Sequence, residues 1–268
     1  MKVTDLTILY TTDNALDKIL AERCMEKLKE ITDGIQIVSV SQKPIDLGKN
    51  ICVGDIGRSG ISMERQLEAG LEVIDTEYVA IAEHDCIYDR EHYDWRPPDK
   101  TNFWYNDNCW LLQYDNPKFP DLNGQYSYWP LRRVLSQMIC GTDIYRKAVQ
   151  DRIKVINDPD WIHHWPTGRM GEPGAADYKS MMKISRHKEL RHLRQHIKNY
   201  IINYNAKDFK TEIPNIDIRH GSNLTGPRRG RNRTFNLKPW GTMQELLRIG
   251  IEVKNSNLTL EEAGQSKN

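Results

Sequence analysis

Tyr78-Val-Ala-Ile-Ala-Glu-His-Asp-Cys-Ile-Tyr88 carries four apolar residues straight into Glu83-His84-Asp85. A short apolar run of this kind reads as a strand buried on both faces. Carboxylates at its exit are costly to hide unless solvated, paired or bound to metal. Toward the N-terminus the same alternation repeats. Leu6-Thr-Ile-Leu-Tyr10 reads as a buried strand, closed by the turn and cap chemistry of Thr11-Thr-Asp-Asn14. Leu16 to Ile31 has helical periodicity, with Leu16, Ile19, Leu20, Cys24 and Leu28 on one stripe. Ile35 to Val40 is a second strand, Lys49 to Gly60 holds a short strand and a glycine-rich loop, and Ile61 to Ile74 is a second helix. The order β-α-β-(β)-α-β predicts an α/β fold: a Rossmann-type, open, mostly parallel sheet flanked by helices. Ligands of such sheets bind beyond the carboxyl ends of the strands, where Thr11–Asn14 and Glu83–Asp85 fall.

Beyond Tyr88 the pattern is less regular. Residues 95–129 are rich in Trp, Tyr, Asn and Pro, with Trp110 to Tyr114 a further strand. Leu131 to Ile139 and Thr142 to Ile153 read as helices, and Asp158 to Gly174 as a loop. Lys179 to Ile202 is basic and helical in pattern. Ile216 to His220 is a short strand, Trp240 to Ile249 an amphipathic helix, and 254–268 a frayed tail. These features divide the chain into a core at 1–178, a basic C-terminal part at 179–253 and the tail.

Charge supports that division. Residues 179–238 hold 15 Lys/Arg and 4 Asp/Glu, whereas 1–178 hold 20 and 29. The basic block suits a polyanionic partner and the acidic part a metal. Five widely spaced cysteines without a CxxC argue against a disulfide framework or a zinc-thiolate site, and for reduced thiols in or beside strands. No apolar run approaches the ~18–20 residues of a membrane helix. Lys2, Asp5 and Asp13 interrupt any signal-peptide pattern, so the expected place is the cytoplasm.

Glu83 and Asp85 are candidate ligands for Mg²⁺ or Mn²⁺, which take oxygen donors and leave positions for substrate phosphates. A solvated strand end or helix cap is the competing account. Arg219, Arg228, Arg229, Arg231 and Arg233 border a glycine-containing loop, and Arg is suited to bidentate phosphate contacts. Phe235 and Trp240 nearby are candidates to stack on a base. An ordinary solvated basic face explains the same residues less specifically. Trp104-Tyr105-Asn106 and Trp110 are candidates for an acceptor pocket, although plain core is the simpler account of each.

The segment from Tyr78 to Tyr88 resembles the acid-x-acid motif of GT-A-fold, family-2-like nucleotide-sugar glycosyltransferases. Leu6 to Asn14 looks like that family's first strand and nucleoside loop, and Cys140-Gly-Thr-Asp-Ile-Tyr-Arg-Lys-Ala148 like its strand-to-helix segment after the acceptor region. The likeness spans about residues 1–175, with Glu83 standing where the family has Asp. It implies a nucleotide diphosphate-sugar donor, with UDP favoured. Thr11, Thr12, Asp13, Arg58 and Gln66 would contact the nucleoside, and Arg228 and Arg229 would clamp the diphosphate. It implies Mn²⁺ or Mg²⁺ held by Glu83, Asp85 and His220. It also implies an acceptor-activating carboxylate downstream, either Glu172 or Asp177, and with such a base an inverting single displacement.

The basic block extends the resemblance to phage and base-J-type enzymes that glycosylate hydroxymethylated pyrimidines in DNA. DNA is then the expected acceptor, bound through 179–238. A surface polysaccharide or protein glycan is the alternative acceptor. Two other classes remain: a nucleotidyltransferase, although Tyr10–Asn14 lacks the Gly-rich Arg/Lys signature, and a non-enzymatic nucleic-acid-binding protein, which leaves Glu83–Asp85 without a purpose.

Overall fold

A computed structural model describes residues 5–117, 119–130, 132–164, 170–175, 183, 187–223 and 230–248. The strands are β1 (Leu6–Thr12), β2 (Gln36–Ser41), β3 (Lys49–Cys52), β4 (Tyr78–Glu83), β5 (Cys86–Ile87), β6 (Asn102–Asn106), β7 (Cys109–Gln113), β8 (Tyr126–Tyr128), β9 (Met138–Gly141), β10 (Asn205–Phe209), β11 (Asn215–Arg219) and β12 (Asn232–Thr234). The α-helices are α1 (Lys18–Ile31), α2 (Gly60–Leu71), α3 (Arg90–Asp94), α4 (Thr142–Ile156), α5 (Pro159–His164), α6 (Arg194–Asn203) and α7 (Met243–Leu247). None of them is long and apolar enough to cross a membrane.

The large sheet has the order β10-β6-β9-β4-β1-β2-β3 and the smaller one β12-β8-β7-β11-β5. β3, β2, β1 and β4 are parallel, β9 runs against β4 and β6, and β10 is parallel to β6. This is the predicted α/β class, with a mostly parallel sheet between helices. β1 crosses through α1 to β2 on one side, and β3 crosses through α2 back to β4 on the other. The crevice beyond the carboxyl ends of β1 and β4 is therefore a topological switch point.

Local chemistry explains the elements. All seven residues of β1 are buried, as a central strand covered on both faces requires. The Asp17 carboxylate caps α1 by accepting from the Leu20 N–H, and Ser59 caps α2 by accepting from Ser62. Gly70 lets α2 lie directly on Leu9 of β1, a space that a Cβ would fill. Leu16, Leu20, Cys24 and Leu28 are buried as the stripe predicts, but Ile19 is 61% exposed. The thiols are free; four are buried and Cys52 is exposed.

Several expectations need correction. The helix expected over Leu131–Ile139 is not formed by its described residues: 132–134 are irregular, a short 3₁₀ turn follows at Leu135–Gln137, and the chain then enters β9, inserted between β4 and β6. Met138, Ile139 and Cys140 are fully buried, and a short apolar run buried on both sides has no period to distinguish strand from helix. The 158–174 stretch contains α5, whose first turn opens on Pro159. The basic stretch forms a 3₁₀ turn at Glu189–Arg191 and then α6, and the last helix is shortened to Met243–Leu247. From the 179–253 part, β10 extends the large sheet and β11 lies inside the small one. The 254–268 tail lies outside the described residues.

Candidate active site

The ends of β1, β2 and α2 form one wall of a cavity of about 310 Å³ at the switch point. Asn14 takes a positive φ of 58° at the end of β1. Its side-chain oxygen accepts from the backbone N–H groups of Gln42 and Lys43, each at 2.8 Å, and so ties β1 to β2. Thr11, Thr12, Asp13, Arg58 and Gln66 all line this wall. The Arg58 guanidinium donates to Asp13 Oδ2 and, at 2.9 Å, to the Ser222 carbonyl. Burial pushes the Asp13 carboxyl up, but the Ala15 N–H and Arg58 outweigh it and hold the group below its ordinary value. Gln66 donates its amide to the carbonyls of Thr12 and Val40, so much of its polarity supports the wall.

The floor is built where β4 leaves the large sheet. β5 turns into the smaller sheet and pairs with β11, and the Ile218 N–H donates to the Asp85 carbonyl at 2.8 Å. β11 thereby delivers His220 to Asp85, with Nε2 3.4 Å from Oδ2. Asn223 donates its amide to the same Oδ2 at 2.8 Å and lies 3.0 Å from His220 Nε2. His220 Nδ1 meets Ser222 Oγ at 2.8 Å. On the other side His84 Nδ1 lies 2.8 Å from Thr12 Oγ1. Burial alone would raise the Asp85 carboxyl. The hydrogen bond with His220 and the neighbouring His84 and Arg219 reverse that and hold it well below the usual carboxylate range.

Two overlapping groups of side chains suit a cation. His84, Asp85 and His220 form one, and Glu83, Asp85 and Cys86 the other, each with its ligand atoms within 4.8 Å of one another. Asp85 belongs to both. His84, the middle residue of the motif, joins the His220 group; Glu83 sits in the second one. A carboxylate with imidazoles fits Mn²⁺ well, and Glu83 adds a harder oxygen donor. Clustered and lining a cavity, with Asp85 and His220 buried and Glu83 and His84 partly exposed, this donor set fits a divalent ion.

Glu172 forms part of the far wall. Its loop is fixed by Tyr105, whose hydroxyl donates to the Pro173 carbonyl at 2.8 Å, and by Tyr200, which donates to that of Gly171 at 3.0 Å. Gly174 takes φ 70°, and a Cβ there would meet the Ala206 nitrogen at 2.5 Å. Arg152 of α4 pairs with Glu64 at 2.6 Å and reaches Glu172 at 3.6 Å. Arg132, Asp217 and Arg219 also line the cavity. Arg132 Nη2 lies 2.7 Å from Asp217 Oδ2, and Arg219 Nη1 3.3 Å from Asp217 Oδ1.

Thus Thr11, Thr12, Asp13, Arg58, Gln66, Glu83, Asp85, Glu172 and His220 share one cavity, although they span most of the described chain. Asp177, Arg228 and Arg229 lie outside the described residues. Arg231 and Arg233 are exposed at β12 and do not line the cavity. Trp104, Tyr105 and Asn106 belong to β6, and Trp110 to β7; none lines the cavity. Trp240 is not offered for stacking: its indole N–H donates to the Pro214 carbonyl at 2.6 Å, and the ring packs on the core under the small sheet. Sequence reasoning missed Asn223, Gln42, Arg132 and Asp217 in the cavity. Only Asp217 had a signal, as a lone acid inside an apolar strand.

No family model matches the sequence, and no curated protein matches it. Among solved structures, the bifunctional IspDF from Campylobacter jejuni is 16% identical, with a TM-score of 0.36, over 68% of this chain and 54% of that one. S. aureus TarS 1-349 in complex with UDP-GlcNAc is 8% identical, with a TM-score of 0.42, over 82% and 60%. The mannosyltransferase PcManGT from Pyrobaculum calidifontis, in complex with GDP-Man and Mn²⁺, is 13% identical, with a TM-score of 0.37, over 80% and 56%. This chain therefore spans between half and two thirds of the length of each of these three.

Proposed function

We propose that the cavity transfers a sugar from a nucleotide diphosphate donor to a hydroxyl acceptor. One observation carries this reading: the switch-point cavity brings a polar wall from β1 and α2, the Asp85–His220 cluster and the Glu172 carboxylate into one space. Thr11, Thr12, Asp13 and Arg58 bind the nucleoside, with UDP the favoured nucleotide. Asp85, His220 and His84, with Glu83 alongside, hold Mn²⁺ or Mg²⁺. A divalent ion bound there supplies positive charge to the departing diphosphate. Glu172, kept oriented by Arg152, takes the proton of the acceptor hydroxyl. Attack from that side, opposite the leaving group, inverts the sugar's configuration.

The favoured acceptor is a hydroxymethylated pyrimidine in DNA, as on a phage genome. The support is the excess of Lys and Arg in 179–238, with exposed Arg231, Arg233 and Phe235 at β12. Phosphate contacts from such residues are salt-sensitive. A surface polysaccharide or protein glycan is the other acceptor to screen.

The test is the thermal midpoint with UDP, UDP-GlcNAc, GDP and GDP-Man, each with and without Mn²⁺, on the wild type and D85A. Binding to the native state raises the midpoint by mass action. The reading expects one nucleotide to give a Mn²⁺-dependent rise that D85A loses. No rise with any nucleotide rejects it. Transfer assays on hydroxymethylated DNA and on a glycan then decide the acceptor.

A further inference from the structure

Arg132 is hidden in the cavity wall with more donors than partners. Its side chain is 8% exposed, and those of Asp217 and Arg219 are 5% each. Asp217 gives one oxygen to each guanidinium. Arg132 Nε and Nη1 have no hydrogen-bond partner among the described residues. Buried guanidinium nitrogens without partners are expensive, and this side chain lines a cavity large enough to hold a ligand. A phosphate or carboxylate is the group whose oxygens pair with such guanidinium nitrogens.

The sheet order says where such a group would lie. Arg132 leads through Val134 and Leu135 into β9, and β9 flanks β4 on the side away from β1 and β2. The nucleoside wall, from β1 and the start of α2, lies on the other side of Asp85. We propose that Arg132, backed by Arg219 across Asp217, is an anion subsite that takes a phosphate or carboxylate additional to the donor diphosphate. Its separateness from a donor diphosphate rests on the glycosyl-transfer reading; the anion subsite does not. On that reading, the extra acidic group belongs to the transferred sugar or to the acceptor.

The experiment titrates inorganic phosphate calorimetrically into the full chain, first alone and then saturated with UDP and Mg²⁺. The wild type is compared with R132Q and R132K. R132K keeps a cation beside Asp217, so the fold survives while most guanidinium donors are withdrawn. The expected result is phosphate binding that persists with UDP in place and weakens at least about tenfold in both variants. Glucuronate, glucose 6-phosphate and neutral glucose, titrated in the same way, then separate a carboxylate from a phosphate ligand. The proposal is overturned if the wild type binds neither phosphate nor glucuronate. It is overturned if R132K binds them as tightly as the wild type. It is also overturned if phosphate competes with UDP, which makes Arg132 part of the diphosphate position. Arg132-dependent phosphate binding by a protein that binds no nucleotide leaves the subsite standing and removes the glycosyl-transfer reading.

Discussion

Two buried ionic clusters of opposite make-up reach the same cavity. Glu64, Arg152 and Glu172 set two carboxylates around one guanidinium; Arg132, Asp217 and Arg219 set two guanidiniums around one carboxylate. The first ties α2 to α4 and to the loop at Gly171–Gly174. The second ties β11 to the segment before β9. Neither balances internally, and in each the surplus member, Glu172 or Arg132, lines the cavity. Burying charge is a poor way to gain stability. On the function and subsite proposed above, these groups are charge held ready for a ligand: an acidic group to receive a proton, and a basic one to receive an anion.

The largest expected effect breaks the acidic cluster chemically without emptying it. Glu172→Gln keeps the shape and removes the proton acceptor. Turnover should drop by about 10²–10⁴-fold while donor affinity measured by calorimetry is retained. An unchanged turnover would assign Glu172 to structure alone. Next, Arg152→Met withdraws the buried guanidinium that Glu64 and Glu172 share, and should cost about 3–5 kcal/mol in urea unfolding. Arg132→Met leaves Asp217 still paired with Arg219 and should cost less than half of that. Equal losses would show that the count of charges does not govern these clusters.

A neutral buried group sharpens the contrast at the smallest scale. His92 is enclosed by Tyr88, Tyr93 and Phe209, and burial pushes its imidazole down from 6.5 to about 3. The unfolded chain takes up a proton near pH 6.5 that the folded chain refuses until about pH 3. This residue therefore contributes fully above pH 6.5, and its contribution falls by about 1.4 kcal/mol for each pH unit below it. His92→Gln should flatten the loss of stability between pH 7 and pH 5, measured as the urea midpoint at each pH. A slope identical to that of the wild type would place the acid sensitivity elsewhere.

The difference between the halves of the molecule also sets what was legible. β1, α1, β2, α2 and β4 follow local period and capping, so the switch point and the carboxylates beyond β4 could be read directly. His220 was visible as a histidine closing a short strand. β9 was not, because a strand buried on both faces in mid-sheet reads like a helix segment. Arg152 and Glu64 looked like ordinary polar residues of amphipathic helices. Only packing α2 against α4 buries them together. Arg132 gave no signal, since its partner Asp217 lies in another sheet strand far along the chain. Pairings of this kind depend on topology, which no local window contains.

Asp85 and Asn223, hydrogen-bonded at the centre of the site, are separated by 138 positions. Translation proceeds at about 5–20 residues per second, so the ribosome takes on the order of ten seconds to make that interval. All seven strands of the large sheet have been synthesised by Phe209, before β11 exists. A nascent or prematurely terminated chain thus carries the half of the site that faces β1 and β4 without the half that closes it. The cavity is completed late and at once, so an incomplete copy of this protein lacks the Asp85–Asn223 contact that closes it.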